Sequence, residues 1–269
     1  MKKLAKRIEK ILDAEEEEQL KKPNRKIVAI IPAKNEEKTI SSVIADTGNY
    51  VDEILVINDG STDSTQTEVF TSKKAMVSLV NNPTSFGKGA SIMHSVWWLS
   101  NTRTPKFGDL VVFIDSDGQH VPSDIPKLIE VLDSEDLDMV IGARDLGKYP
   151  LHKKIGNWGL SLLASILAGH KIADGECGFR ILRWERCLEL LATINPTQYE
   201  IEMEINVTAG LRGWKFAFVD IQSPNYRPRQ NIRSGIRNSW AGIKTWLKLT
   251  LKWLDYDRNK DRYEHKFGA

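Results

Sequence analysis

Two carboxylates spaced one residue apart close an apolar run: Leu110-Val-Val-Phe-Ile114 leads straight into Asp115-Ser116-Asp117-Gly118-Gln119-His120. Side chains at i and i+2 of a strand end project to the same side. Asp115 and Asp117 can therefore share one hard cation, Mg²⁺ or Mn²⁺, which keeps some of its waters and takes phosphate oxygens. Ligands of an open α/β sheet also bind at the carboxyl ends of its strands. The tripeptide Asp-x-Asp is common, however, and an acidic turn after a strand is the plain alternative.

Other chemistries are excluded by spacing. A P-loop needs Gly-x-x-x-x-Gly-Lys-Ser/Thr, but Asn82 stands at the first glycine's place and Gly89 follows Lys88. Gly87-x-Gly89 runs on to Ile92, so the dinucleotide fingerprint fails too. No Gly-x-Ser-x-Gly elbow occurs, and the histidines at 94, 120, 152, 170 and 265 lack zinc-site spacing. Cys177 and Cys187 make neither a disulfide framework nor a metal set and fit a reducing cytosol as packed thiols. With 38 Lys and Arg against 36 Asp and Glu, the charge balance gives no case for a nucleic-acid partner. There is no apolar leader and no uncharged run of about 18 residues. The expectation is a cytoplasmic protein, soluble or held at the inner face of the cell membrane.

The elements that must position the carboxylates are readable as alternating strands and helices. Apolar runs at Ile27–Ile31, Ile54–Ile57, Val77–Val80, Leu110–Ile114 and Asp138–Gly142 predict five strands. Helical spacing follows them, at Ile40, Val43 and Ile44, after Thr65, and from Gly87-Lys88-Gly89 through Ile92, Val96 and Leu99. The alternation predicts an α/β fold, a Rossmann-like, mostly parallel sheet covered by helices. Three segments are expected: an amphipathic helix over 1–25, a main domain over 26–235, and a second amphipathic helix with a polar tail over 236–269.

Taken together, Pro32-Ala-Lys34-Asn-Glu36, Asn58-Asp59-Gly60-Ser61-x-Asp63-x-Thr65, Asn82 with Gly87-Lys88-Gly89, Asp115-x-Asp117-x-Gln119 and Gly142-Ala-Arg144 resemble, in order and spacing, the GT-A glycosyltransferases of family 2. The likeness is greatest to the dolichyl-phosphate (polyprenyl-phosphate) hexose synthases. It implies a donor half that binds a nucleoside diphosphate sugar. There Pro32, Lys34, Glu36 and Asp59 line the base and ribose, and Gly87, Lys88 and Gly89 let backbone approach. It also implies a metal site of Asp115, Asp117 and Gln119, with Ser116 meeting the diphosphate through its backbone. Lys34 and Asn58 depart from the family, where an aromatic residue and Asp are usual, so the base is left open between UDP and GDP.

For the acceptor half, Lys153 and Asn157 resemble the family's basic-x-x-x-Ser/Asn segment at the start of an interface helix; one turn apart, both can reach one phosphate. Asp174-Gly-Glu-Cys177-Gly178-Phe-Arg180 resembles its Asp-x-x-Ser/Thr-Gly-Phe loop, with Asp174 expected to touch sugar or acceptor. Glu200, Glu202 and Glu204 fall on its acidic helix, and Arg229 and Arg233 on its Arg-rich loop. Arg180 stands where processive synthases carry Gln, which disfavours that subclass.

A phosphate monoester is already anionic near neutral pH, so such an acceptor needs steering by Arg and Lys and no general base. The expected reaction is an inverting, metal-dependent transfer of a hexose to polyprenyl phosphate, with Arg144 holding phosphate charge. The alternatives are a soluble or glycolipid hydroxyl acceptor, or a non-catalytic binder of nucleotide sugars. In the tail, Ile236, Trp240, Ile243, Leu247 and Leu254 share one helical face beside Arg237, Lys244, Lys248 and Lys252. That pattern suits an anionic membrane surface.

Overall fold

All five apolar runs form strands: β1 (Ile27–Ala33), β2 (Glu53–Asp59), β3 (Met76–Asn82), β4 (Leu110–Phe113) and β5 (Met139–Arg144). Two strands the sequence reading did not foresee complete the sheet, β6 (Arg180–Arg183) and β7 (Phe216–Ile221). The structure, a computed structural model, describes residues 25–71, 76–102, 105–145, 147, 149–194, 201–222, 240, 243, 245–248 and 250–251, with 152 and 153 given by backbone alone. The strand order is β3-β2-β1-β4-β6-β5-β7. Every pairing is parallel except those of β6, which runs antiparallel between β4 and β5.

Helices α1 (Ile40–Thr47), α2 (Thr65–Glu68), α3 (Lys88–Thr102), α4 (Ile125–Ser134), α5 (Leu151–Ala168), α6 (Trp184–Thr193) and α7 (Ile201–Leu211) cover it. The strand centres are apolar on both faces because helices cover both: Ile30, Leu55, Val112, Ile141 and Ile181 are all fully buried. Each such side chain contributes roughly 1.5–3 kcal/mol of apolar burial. The sheet is thereby rigid up to its carboxyl edge, where polar loops begin.

The reversed strand β6 shapes that edge. Arg180 at its start is opposite Phe113 of β4 and Ile141 of β5. The loop leading into β6 therefore sits beside the residues that leave β4 and β5, and three segments distant in sequence meet. Helices α5 and α7 pack closely near their C-terminal ends at Gly210, where a Cβ would lie 2.1 Å from the Ala168 carbonyl oxygen.

The expected helix over 1–25 lies outside the described residues apart from Arg25, which is not helical and pairs with Asp133. Arg229 and Arg233 also lie outside them. In the tail, Ile243 and Trp246 pack on the core, Thr245 donates to Glu204 at 3.2 Å, and Lys248 donates to the Thr193 carbonyl at 2.6 Å. The face expected at a membrane is thus divided. Ile243 and Lys248 are engaged by the domain, while Trp240, Leu247 and Leu251 stand exposed along one line of the helix. Among the described residues no helix is long and apolar enough to cross a membrane.

Candidate active site

The loops after β1, β2 and β3 are laced to one another. Asn35, in the left-handed region at φ 54°, takes the Ser61 hydroxyl on its N–H and offers its side-chain oxygen to the Thr62 N–H. Glu36 N–H donates to Thr65 Oγ1, and the buried Glu36 carboxylate accepts from Thr39. Lys34 Nζ reaches across to Ser85 Oγ at 2.9 Å. Gly60 is required at this junction. Its φ is +64°, and a Cβ would come within 2.7 Å of Ser85 N.

Asp59 is the hub of this lacing. One carboxylate oxygen accepts from Asn82 Nδ2 and Phe86 N–H, and the other from Ser85 Oγ and Gly87 N–H, all between 2.7 and 3.0 Å. Burial opposes its charge, but these four bonds outweigh it and hold the carboxyl below the ordinary range. Through these four bonds Asp59 ties the loops after β2 and β3 into one cradle wall. The Gly87 N–H is likewise directed at Asp59.

Beyond β4, the two expected metal carboxylates are both engaged by neighbouring side chains. Asp115 Oδ1 lies 2.5 Å from the Lys88 ammonium, and its Oδ2 lies 3.4 Å from His120 Nε2. Burial would raise this carboxyl, yet the Lys88 charge and then the His120 contact hold it well below the usual range. Asp117 accepts the Gln119 N–H at 3.0 Å and Gln119 Nε2 at 2.5 Å across the turn made by Gly118 at φ 73°. Ser116 Oγ donates to the Pro32 carbonyl at 2.8 Å, tying this turn to β1.

The donor set fits a hard cation. A cation, the Lys88 ammonium, already sits on Asp115. Among the described residues no cluster of three or more His, Cys, Asp or Glu could hold a metal unaided. Magnesium-type sites use one or two carboxylates and complete their shell with water and substrate phosphates.

On the β5 side, Arg144 and Asp174 form one bidentate pair. Arg144 Nε donates to Asp174 Oδ2 at 2.7 Å and Nη2 to Oδ1 at 2.9 Å. Burial disfavours both charges, and the pair overcomes it: the Arg144 pKa lies well above its ordinary value and the Asp174 pKa below. Asp174 is therefore committed to Arg144, with the Glu176 N–H on its second oxygen at 3.2 Å. Burial, then Asp174, pushes the adjacent Cys177 thiol up to about 12, which removes it as a nucleophile.

Helix α5 connects this loop to the outside. Its inward Ser161 and Ser165 hydroxyls accept the Gly175 and Ile172 N–H groups, each at 2.9 Å. Asn157, one turn earlier, is buried with its Oδ1 unpartnered among the described residues. The Lys153 side chain lies outside the described residues. Outward, Leu151, Ile155, Trp158, Leu162 and Ile166 form one stripe, each between 45% and 71% exposed. From Ile155 to Ala168 every exposed residue is apolar or glycine.

Glu202, which sequence reasoning placed only on an acidic helix, reaches into the site and binds Lys88 Nζ at 2.6 Å. Arg180, wholly buried, donates to the Cys177 carbonyl at 2.6 Å and to Asn206 at 3.3 Å behind it. Gly178 explains how the pieces approach: a Cβ there would come within 2.7 Å of Lys88 Nζ and 2.8 Å of an Asp115 oxygen. An acidic residue two after Glu200 on an otherwise buried helix was the available signal for Glu202. Nothing local marks its partner.

Residues 28–183 match the family Glycosyl transferase family 2. A UDP-N-acetylglucosamine–dolichyl-phosphate N-acetylglucosaminyltransferase of Methanococcus voltae is 30% identical over 68% of this chain and 79% of its own. A dolichyl-phosphate beta-glucosyltransferase, ALG5D of Trichomonas vaginalis, is 28% identical over 75% and 66%. Among solved structures, glucosyl-3-phosphoglycerate synthase from Mycobacterium tuberculosis with Mn²⁺, UDP and glucosyl-3-phosphoglycerate superposes with a TM-score of 0.62 at 25% identity, covering 84% of this chain and 80% of that one. A sheet whose carboxyl edge gathers Asp115, Asp117 and Arg144, matched by the family over most of its strands, has the GT-A fold, and the chain belongs to glycosyltransferase family 2.

Proposed function

We propose that this glycosyltransferase moves a hexose from a nucleoside diphosphate to polyprenyl (dolichyl) phosphate, with inversion, at the cytoplasmic face of a membrane. The observation that carries the reading is the uncharged, exposed stripe of α5, which starts beside the acceptor segment and whose inner face holds the Asp174 loop. Gly156 and Gly159 sharpen it. A Cβ at either would meet nothing within 4 Å, so the domain's own packing does not require them. Each costs the helix about 1 kcal/mol relative to Ala. A flat helical face that admits close approach from outside suits lipid, and the exposed Lys171 just beyond its C-terminal end suits anionic headgroups.

The chemistry agrees with an anionic acceptor. Asp174, the carboxylate nearest to a general-base role, is locked to Arg144 and cannot accept a hydroxyl proton without breaking a bidentate pair. A phosphate acceptor asks for no such base. Asn157, through its side-chain NH₂ donor, and Arg144 would orient that phosphate. Asp115, Asp117 and Gln119 would hold Mg²⁺ or Mn²⁺, which when bound supplies counter-charge to the departing nucleoside diphosphate.

A second reading, transfer to a soluble phosphorylated acceptor, is favoured by the likeness to glucosyl-3-phosphoglycerate synthase. One experiment separates the two. The protein is incubated with labelled UDP- and GDP-hexoses and either vesicles containing polyprenyl phosphate or soluble phosphorylated acids. Label extracted into organic solvent supports the lipid acceptor, and label confined to the aqueous product overturns it.

A further inference from the structure

Lys88 occupies the position on Asp115 that a metal would take. Its ammonium touches two carboxylates from opposite halves of the fold: Asp115 at the end of β4 at 2.5 Å and Glu202 in the first turn of α7 at 2.6 Å. Gly178 lies against the same pair, since a Cβ there would come within 2.7 Å of Lys88 Nζ and 2.8 Å of an Asp115 oxygen. The other Asp115 oxygen faces His120. Glu202 also feels the buried Arg180, so it sits between two cations. A dication and an ammonium cannot both sit on Asp115 Oδ1, because they repel at contact distance.

We infer that Glu202 is a positioning residue that receives Lys88, so that a divalent cation enters the site by displacing the ammonium from Asp115 onto Glu202. The Lys88 ammonium orients the Asp115 carboxylate. After displacement the ammonium stays next to the cation, within the site, held by one carboxylate in place of two. This inference rests on reading Asp115 and Asp117 as the metal carboxylates.

The test is a double-mutant cycle on Mn²⁺ binding by the full chain without nucleotide, read from the electron paramagnetic resonance of free Mn²⁺. Lys88→Gln, which keeps hydrogen-bond donors but removes the competing charge, should tighten Mn²⁺ about tenfold. Glu202→Gln should weaken it about fivefold while Lys88 is present, and less than about twofold in the Lys88→Gln background. Equal effects of Glu202→Gln in both backgrounds would mean plain long-range attraction and would overturn the displacement. Mn²⁺ binding that is insensitive to Asp117→Asn would overturn the metal site itself, and with it this inference.

A second readout needs no variant. Amine modification mapped by mass spectrometry should speed up at Lys88 when Mn²⁺ is added to the wild-type protein, because the Lys88 amine is released from the Asp115 carboxylate that holds it. An unchanged rate at Lys88 contradicts the displacement.

Discussion

Asp59 and Asn157 are both buried polar side chains, one on each side of the sheet's carboxyl edge, and they differ in what satisfies them. Asp59 receives four hydrogen bonds from its own loops, and the lacing around it extends through Asn35, Glu36 and Ser85. Asn157 keeps an unpartnered oxygen, and the helix that carries it presents five large apolar side chains to the outside. The proposed donor side is satisfied by its own loops. On the proposed acceptor side, Asn157 Oδ1 and the α5 stripe have no partner among the described residues. A diffusible nucleotide sugar can enter a finished cradle, whereas a lipid-linked phosphate brings its own surroundings.

The largest effect that could break this comparison lies between the halves. Asp117→Asn should lower turnover on the order of a hundredfold or more while leaving the far-ultraviolet circular dichroism unchanged, because a charge partner of the diphosphate's cation is lost. Near-normal turnover, or equal turnover in excess chelator, would remove the metal assignment.

Next comes stability on the donor side. Asp59→Ala leaves four donors without an acceptor and should cost about 3 kcal/mol in urea unfolding, together with nucleotide affinity. If the midpoint hardly moved, the cradle would not be self-completed. Asn157→Ala sharpens the contrast from the other side. It should change stability by less than about 1 kcal/mol, since no bond to Oδ1 is lost, yet raise the KM for the acceptor phosphate with nucleotide affinity unchanged. A stability loss as large as that of Asp59→Ala would make Asn157 a structural residue.

The smallest effects concern the Arg144–Asp174 pair and the α5 glycines. The folded-state pKa of Asp174 is depressed, so its contribution to stability is present above the unfolded carboxyl value of about 3.9 and is lost as pH falls through the lower folded value. Asp174→Asn should therefore flatten the acid limb of stability against pH while lowering stability at neutral pH. An unchanged limb would place the proton elsewhere. Gly159→Ala should raise unfolding stability by about 0.5–1 kcal/mol, as expected for an open helical position.

How much of this was legible beforehand depends on the range of each interaction. The five strands are continuous apolar runs and were readable from Ile27, Ile54, Val77, Leu110 and Asp138 onward. Strand β6 was not, because its four residues begin and end in Arg, and only its central place between β4 and β5 buries Arg180. The residues of the metal turn were visible because Asp115, Asp117 and Gln119 lie within one turn. The pairing of Arg144 with Asp174, and of Lys88 with Glu202, joins residues far apart in sequence through the reversed β6 and the packing of α5 and α7. Arg144, Lys88 and Asp174 each looked like an independent ligand from its own neighbourhood, and Glu202 looked like no ligand at all. The tail showed a further limit: its apolar face was recognisable, but not that Ile243 and Trp246 would dock on the domain and leave Trp240, Leu247 and Leu251 outward.

The contrast between a finished donor side and an acceptor side completed by a membrane is tested most directly at α5. Trp158→Ser together with Leu162→Ser changes only exposed side chains, so folding and nucleotide binding should stay within about twofold of wild type. The account predicts that hexose transfer to polyprenyl phosphate in anionic vesicles falls on the order of a hundredfold or more, in step with vesicle co-sedimentation, since each side chain removes roughly 1.5–3 kcal/mol of apolar transfer. Undiminished transfer and vesicle binding in this double variant would contradict it, as would an equal loss of nucleotide binding.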